Sequence, residues 1–150
     1  MALELKSLLP ALADCVAVAL QDGAFILCWP VDDTGPLPAP TVDTAVEIDL
    51  GAATLVVGLS LTAPLARQIA QDTLGEMDPR AVSDRDVQDA ALELANVVAG
   101  RLAPRVAPQG AMVRLSAPRA QPRTPTTAAC LTLQTDSGAH LRCWLAEGAR

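Results

Sequence analysis

The chain has 150 residues, of which 51% are hydrophobic and 19% are charged. Such a length and composition are typical of one globular domain that buries its core without help from metals or disulfides. Phe25, Trp29 and Trp144 are the only aromatic residues, too few for a surface that stacks nucleic-acid bases. The net charge of −6 also disfavours contact with nucleic-acid phosphates or anionic membranes. We therefore expect a single domain over residues 1–150 that neither binds nucleic acid nor inserts into a membrane.

The first predicted element is a helix over residues 3–20, where apolar residues recur at helical spacing. The same stretch resembles an export signal, but Pro10 and Asp14 interrupt its apolar run and Lys6 is a poor basic flank. We therefore expect a helix of the domain rather than a signal peptide. Beyond Gly23, the stretch AFILCW predicts a short strand.

A proline-rich loop follows, and it contains the sequence DDTG at residues 32–35. Asp-Thr-Gly is also found in aspartic proteases, which need two such aspartates sharing one proton. Those enzymes consist almost wholly of strands, whereas prolines enclose the single motif here. Aspartate, threonine and glycine are common turn residues, so the sequence favours a turn over a protease site.

The stretch AVEIDLGAATLVVGLSL predicts two strands joined by a turn near Gly51. A helix over APLARQIAQDTL comes next. Thr62 has the character of its N-cap, Pro64 lies in its first turn, and Gly75 marks its end.

The longest predicted helix begins at Ser83, carries aspartates in its first turn, and runs to about Ala103, where Pro104 ends it. The stretch AMVRLS, an extended proline-rich segment and the hairpin CLTLQTDSGAHLRCWLA follow. Residues 101–150 carry seven arginines against two acids, which indicates a solvated basic face or, alternatively, a dock for an acidic protein. This order of elements predicts an α/β fold of the α+β type, a mostly antiparallel sheet covered by long helices.

The cysteines and the histidine form no recognisable metal or nucleophile motif. Four cysteines without a CxxC pair, together with one histidine, cannot build the usual zinc site. Strand alternation places Cys130 and Cys143 on opposite faces of the hairpin, so we expect free thiols and a reduced, cytoplasmic protein. His140 alternates with Arg142 on the polar side of the hairpin, and we expect it to be an exposed strand histidine. No metal site is expected in this chain.

Four residues of the longest helix form a polar stripe. Asp89, Glu93, Asn96 and Gly100 lie within about 60° of one another around the helix axis. The predicted core-facing positions lie opposite: Val87, Ala91, Leu94, Val98 and Leu102. Asparagine and glycine are poor helix formers and the two acids repel, although a plain solvent-exposed face would also be polar.

Carboxylate and amide groups alone do not make a nucleophile or a strong base. An amide, however, holds a water molecule by donating and accepting hydrogen bonds at once. This suits phosphoryl transfer, in which catalysis is mostly positioning and an amide side chain can orient the attacking water. The stripe is therefore a candidate site, with Glu93 and Asn96 as its central pair.

At these residues the sequence resembles the CheC/CheX/FliY family of chemotaxis phosphatases. The family motif is Asp or Ser, three residues, Glu, two residues, Asn, and a later Pro. Here it reads Asp89, AAL, Glu93, LA, Asn96, and then Pro118. The resemblance covers about residues 45–147. The gap before Pro118 is slightly shorter than in the family, and the single motif points to the CheX-like branch.

The resemblance implies a phosphatase for the aspartyl phosphate of a CheY-like response regulator. Asn96 would position the attacking water and Glu93 would engage the regulator's active-site lysine. Asp89, Gly100 and Pro118 would contact the regulator. Mg²⁺ would belong to the regulator, so the chain would need no cofactor of its own, and CheX-like members are typically homodimers. The alternative is a non-catalytic CheX-like module that binds a response regulator or a sensory partner.

Overall fold

The structure is a computed structural model and describes residues 3–149. Over that range the chain forms three α-helices, one 3₁₀ turn and seven strands. The helices are α1 (Leu5–Ala24), α2 (Ala63–Leu74) and α3 (Asp84–Val106), and the 3₁₀ turn covers Pro79–Ala81. The strands are β1 (Cys28–Val31), β2 (Thr41–Asp49), β3 (Thr54–Thr62), β4 (Arg114–Leu115), β5 (Arg119–Ala120), β6 (Ala129–Thr135) and β7 (His140–Glu147).

The seven described strands form one antiparallel sheet. Its order is β1–β6–β7–β3–β2–β4, and β5 also pairs with β2. The longest ladder joins β2 to β3, from Thr41 opposite Thr62 to Asp49 opposite Thr54, with the predicted turn at Gly51 between the strands. The predicted C-terminal hairpin of β6 and β7 lies beside it. The predicted fold class, a mostly antiparallel sheet covered by helices, is confirmed.

The three helices pack on one face of the sheet and enclose the main core. Every predicted core position of α3 is buried: Val87, Ala91, Leu94, Val98 and Leu102. A smaller buried cluster occupies the other face of the sheet and consists of Ala45, Val56, Trp144 and Ala146. The buried positions of α3 recur with the 3.6-residue period of a helix, so the opposite side of α3 remains available for function.

The N-terminal helix belongs to this core. α1 is long and apolar enough to cross a membrane, and 39% of its most apolar window is buried inside the domain. Core helices pass the same test of length and composition. Leu12, Val16 and Leu20 of α1 are completely buried, in agreement with a helix that packs within the domain.

Three predicted boundaries are wrong. Pro104 does not end α3, which continues to Val106, because the Ala107 N–H donates to the Ala103 carbonyl at 3.0 Å and resumes the helical pattern beyond the proline. Pro104 has no N–H to donate to the carbonyl of Gly100, and Gly100 is an exposed residue that water can reach. The other two errors concern the end of α1 and the start of the strand that follows it.

α1 does not stop at residue 20, as predicted, but continues to Ala24. Phe25 caps its C-terminus with a left-handed φ of 56°, and the Phe25 N–H donates to the Gln21 carbonyl at 3.2 Å. The strand predicted at AFILCW therefore begins only at Cys28. At AMVRLS the ladder is limited to Arg114–Leu115, in a short edge segment that Pro118 interrupts.

Three further local predictions are confirmed and one is wrong. Gly75 ends α2 with a φ of 65°, and the Asp33 carboxylate accepts a hydrogen bond from the Gly35 N–H at 2.9 Å, so DDTG is a turn. Cys130 is exposed, Cys143 is buried, and all four cysteines are free thiols. His140 is partly buried rather than exposed, because it pairs with Gln134 inside the hairpin.

Candidate functional site

α3 is a rigid mount for the polar stripe. A capping box closes its N-terminus: the Ser83 hydroxyl accepts from the Asp86 N–H, and the Asp86 carboxylate accepts from the Ser83 N–H, each at 3.0 Å. The hydrogen bond from the Ser83 backbone lowers the pKa of Asp86, which favours a carboxylate at the positive end of the helix dipole. The apolar side of α3 then packs on α1, α2 and β2. The stripe is therefore carried by a helix that is fixed along its length.

The stripe faces away from the core, but its members differ in exposure. The position of the stripe opposite the core predicts that Glu93 and Asn96 are exposed. Glu93 is exposed, as are Asp89 and Gly100, but the prediction is wrong for Asn96, which is half-buried. Asn96 lies at the margin of the stripe, one turn before the completely buried Ala99, which accounts for its lower exposure. The Asp89 carboxylate lies 3.9 Å from the Arg85 guanidinium, an exposed pair that contributes little to stability.

Glu93 and Asn96 have no polar partner within the domain. Across residues 3–149, neither the Glu93 carboxylate nor the Asn96 amide makes a hydrogen bond or an ion pair with another protein group. Other polar side chains of α3 are engaged, because Arg101 pairs with Asp22 at 3.0 Å and Arg105 with Asp14 at 3.5 Å. The carboxylate and the amide are therefore available to a water molecule or a partner protein.

Gly100 is not required by the packing of this domain. A Cβ built on Gly100 would meet only the Leu115 side chain, at 4.0 Å, which is ordinary van der Waals contact. Alanine would also favour the helix by about 1 kcal/mol. The glycine therefore leaves an open place on the helix surface, one turn beyond Asn96, where another backbone could approach closely.

Pro118 belongs to a different element from the rest of the motif. It lies between β4 and β5, at the edge of the sheet beside β2. The Ser116 hydroxyl accepts from the Glu47 N–H at 2.9 Å, and Arg119 pairs with Glu47 at 3.2 Å, so both sides of the proline are tied to β2. α3 packs on the same strand. The sheet edge thus holds Pro118 on the strand that supports α3.

A cleft that the sequence did not reveal lies next to Glu93. It has a volume of about 220 Å³ and is formed by side chains of α1, α2 and α3. Glu93, Ala90 and Val97 contribute from α3, and Thr73 contributes from α2. Periodicity assigns residues to the two sides of one helix, but it does not show where three helices leave a gap, so no sequence signal identified Ala90, Val97 or Thr73 as site residues.

The described residues offer no metal site. Between residues 3 and 149, no group of three or more His, Cys, Asp and Glu side chains is placed to hold a metal ion.

The protein is an α+β domain with one antiparallel sheet and three helices on one face of it. One of these helices, α3, presents a carboxylate and an amide that have no partner within residues 3–149. The family model described as "Chemotaxis phosphatase CheX" matches residues 45–136. The chain belongs to the CheX family. The matched region contains α3 with Asp89, Glu93, Asn96 and Gly100, and also Pro118. No curated protein matches the chain by sequence.

Solved structures share this fold. The chemotaxis protein CheX of Desulfovibrio desulfuricans superimposes with a TM-score of 0.72 at 14% identity, covering 95% of this chain and 99% of that one. CheX of Vibrio vulnificus gives a TM-score of 0.72 at 15% identity, with coverages of 91% and 93%. A third match is CheX of Borrelia burgdorferi in a complex with CheY, BeF₃ and Mg²⁺, with a TM-score of 0.67, 14% identity and coverages of 94% and 97%.

Proposed function

We propose that this protein hydrolyses the aspartyl phosphate of a CheY-like response regulator in chemotaxis or a related two-component pathway. The family supports a chemotaxis phosphatase, and the Borrelia relative was solved in a complex with CheY. One observation carries the proposal for this chain. Glu93 and Asn96 stand one turn apart on the outer side of a packed helix, with no internal partner.

Asn96 is the group we assign to the attacking water. Its amide would accept a hydrogen bond from that water through the carbonyl oxygen and direct it at the phosphorus atom. The reaction breaks the bond between phosphorus and the aspartyl oxygen and forms a bond from phosphorus to the water oxygen. The aspartate leaves as a carboxylate, and inorganic phosphate is released with both protons of the water. Asn96 needs no change of protonation, so its contribution lies in position alone.

Glu93 is the group we assign to docking. An exposed, unpaired carboxylate can bind a lysine ammonium of the regulator by a charge-assisted hydrogen bond. Asp89 adds a second negative charge one turn before Glu93. Gly100 and Pro118 would contact the regulator where it meets α3. Mg²⁺ would be held by the regulator, and this chain would need no cofactor of its own.

The assembly and location of the protein follow the same proposal. A cytoplasmic regulator requires a cytoplasmic phosphatase, and four free thiols are compatible with a reducing compartment. We further propose a homodimer, in which each copy presents its own α3 to a regulator.

The direct test is release of phosphate from response regulators of the same genome. Each regulator is labelled with ³²P at its aspartate and its decay is followed with and without this protein. We expect one regulator to lose its label faster by about tenfold or more at catalytic amounts of protein. If no regulator is accelerated but one binds the chain, the protein is instead a non-catalytic CheX-like module. If none is accelerated or bound, the proposed function is wrong.

A further inference from the structure

The cleft beside Glu93 is open and mostly apolar. Leu20 and Ala24 of α1, Ile69 of α2, and Val97 of α3 line its walls. At its α1 rim stands Gly23, where an added Cβ would meet no heavy atom within 4 Å. The rim thus has room for a side chain that comes from outside the domain.

The size of the cleft indicates what it holds. Its volume of about 220 Å³ is below the roughly 300–1,000 Å³ of a typical small-molecule site. It is larger than the cavity of roughly 150 Å³ that takes up a benzene molecule. One aliphatic or aromatic side chain fits this space, as in the pockets that receive anchor residues at protein interfaces.

The charges around the cleft indicate what accompanies that side chain. The Asp22–Arg101 pair, with its atoms 3.0 Å apart, neutralises one side of the cleft. The remaining charge on the lining is the Glu93 carboxylate, which has no partner within residues 3–149. A partner that fills the cleft would therefore present a basic group beside its apolar one.

Glu93 belongs both to the stripe and to the wall of the cleft, so the two form one continuous surface. We propose that the cleft receives an exposed apolar side chain of the phosphorylated response regulator, next to the lysine that Glu93 binds. This inference rests on the proposed function and adds a specificity site to it. Asn96 and Glu93 read features that response regulators share, whereas the fit of one side chain in the cleft selects among regulators.

Two substitutions fill the cleft from opposite walls. Thr73→Phe adds an aromatic ring from α2, at an exposed position. Gly23→Leu adds a side chain from α1, where there is open space. Leu74→Phe is the matched control, because Leu74 is the next residue of α2, is exposed, and does not line the cleft. Thermal unfolding checks that each variant folds.

The measurements are binding to the beryllofluoride-activated regulator by calorimetry and steady-state hydrolysis of the phosphorylated one. We expect both cleft-filling variants to raise Kd and KM by about tenfold or more and to leave kcat within about twofold. The Leu74→Phe control should match wild type in all three. A bulky aromatic or aliphatic residue on the regulator, when changed to alanine, should reproduce the loss.

The outcomes separate this inference from the proposed function. If wild type binds and dephosphorylates a regulator but the filled variants do so equally well, the cleft inference is wrong and the phosphatase stands. If the filled variants lower kcat alone, or dissociate a dimer in light scattering, the cleft serves catalysis or a second copy instead, and the inference is also wrong. If wild type neither binds nor dephosphorylates any regulator, both ideas fail.

Discussion

Trp144 lies across Gly58 on the face of the sheet that the helices do not cover. The two residues are opposite each other in the β3–β7 ladder, and a Cβ on Gly58 would stand 1.8 Å from Cε2 of the indole. The indole is only 2% exposed, so it has little room to move away. We expect Gly58→Ala to lower the free energy of unfolding by about 1–3 kcal/mol. Chemical denaturation measures this change.

Gly23→Ala is the control for Gly58→Ala. It replaces a glycine near the end of α1 where a Cβ meets nothing within 4 Å. Because alanine favours the helix, we expect a gain of up to roughly 1 kcal/mol. Unchanged stability in Gly58→Ala would show that the indole repacks at no cost, contrary to this view of the sheet.

Local signals in the sequence predicted most of the fold. Ser83 and Gly75 mark helix ends by capping chemistry that acts over a few residues, and the structure uses both. The extent of α1 and α3 was less predictable. Pro104 is a helix breaker by itself, but α3 tolerates it because the N–H that it lacks would have bonded to the carbonyl of Gly100, an exposed residue that water can reach.

The candidate site was predictable only in part. Helical spacing put Glu93, Asn96 and Gly100 on one side of α3, and the family motif gave them roles. The lower exposure of Asn96 depends on how α3 sits on the sheet, and the cleft depends on three helices at once. Contacts between elements far apart in the chain leave no periodic trace in the sequence, so neither feature was visible there.

The buried thiols make the stability of the folded protein depend on pH in the alkaline range. Burial raises the pKa of the Cys28 thiol from 9.0 to about 11, and burial raises the pKa of Cys143 as well. Because a raised pKa keeps these thiols protonated in the folded state, the unfolded state releases its protons first as the pH rises. The contribution of Cys28 to the free energy of unfolding is therefore fully present below about pH 9 and is lost as the pH rises towards 11.

We expect Cys28→Ala to remove part of this alkaline loss, on the order of 1 kcal/mol, less than the full shift implies because Cys28 is partly exposed. The chain has no tyrosine, and Lys6 is its only lysine, so few other groups titrate in this range. Urea denaturation at pH 8 and pH 10.5 gives the free energies of unfolding. Equal pH dependence in wild type and variant would contradict the role of Cys28.

A separate measurement tests the state of the cysteines. All four thiols should react in the denatured, unreduced protein.

The homodimer is the next prediction. The domain leaves several large apolar side chains exposed, among them Phe25 at 83% and Leu27 at 50%, between α1 and β1, and Trp29 at 45%, within β1. Apolar surface of this kind marks interaction sites. At a protein concentration on the order of tens of micromolar, we expect light scattering to give twice the 15.5 kDa mass of one chain. A mass of one chain throughout this range would count against the dimer.

Gly100→Ala should separate stability from function. The new methyl group has space, since its nearest neighbour would be Leu115 at 4.0 Å, and alanine favours the helix by about 1 kcal/mol. The variant should therefore unfold at a higher temperature than wild type. If the regulator approaches α3 closely at this point, KM should rise at the same time. If the variant is stabilised and KM is unchanged, Gly100 does not lie in the interface with the regulator.

Asn96→Ala tests the assigned chemistry most directly. The amide has no partner within residues 3–149, so its removal should leave the fold intact, and thermal unfolding should show equal or higher stability. By analogy with the loss of one group that organises a transition state, kcat should fall by about 100-fold or more. KM should change little, because the water is held only during the reaction.

Glu93→Ala and Glu93→Gln provide the contrast with Asn96→Ala. Both remove the free carboxylate that lies next to the cleft, and the glutamine variant keeps the size of the side chain. We expect KM for the phosphorylated regulator to rise about tenfold and kcat to fall less than in Asn96→Ala, because a charged contact is lost while the water-holding amide remains. Single-turnover decay of the ³²P-labelled regulator at saturating protein separates the two effects. Should Asn96→Ala keep the wild-type rate at saturation, Asn96 does not position the water, whatever the chain binds.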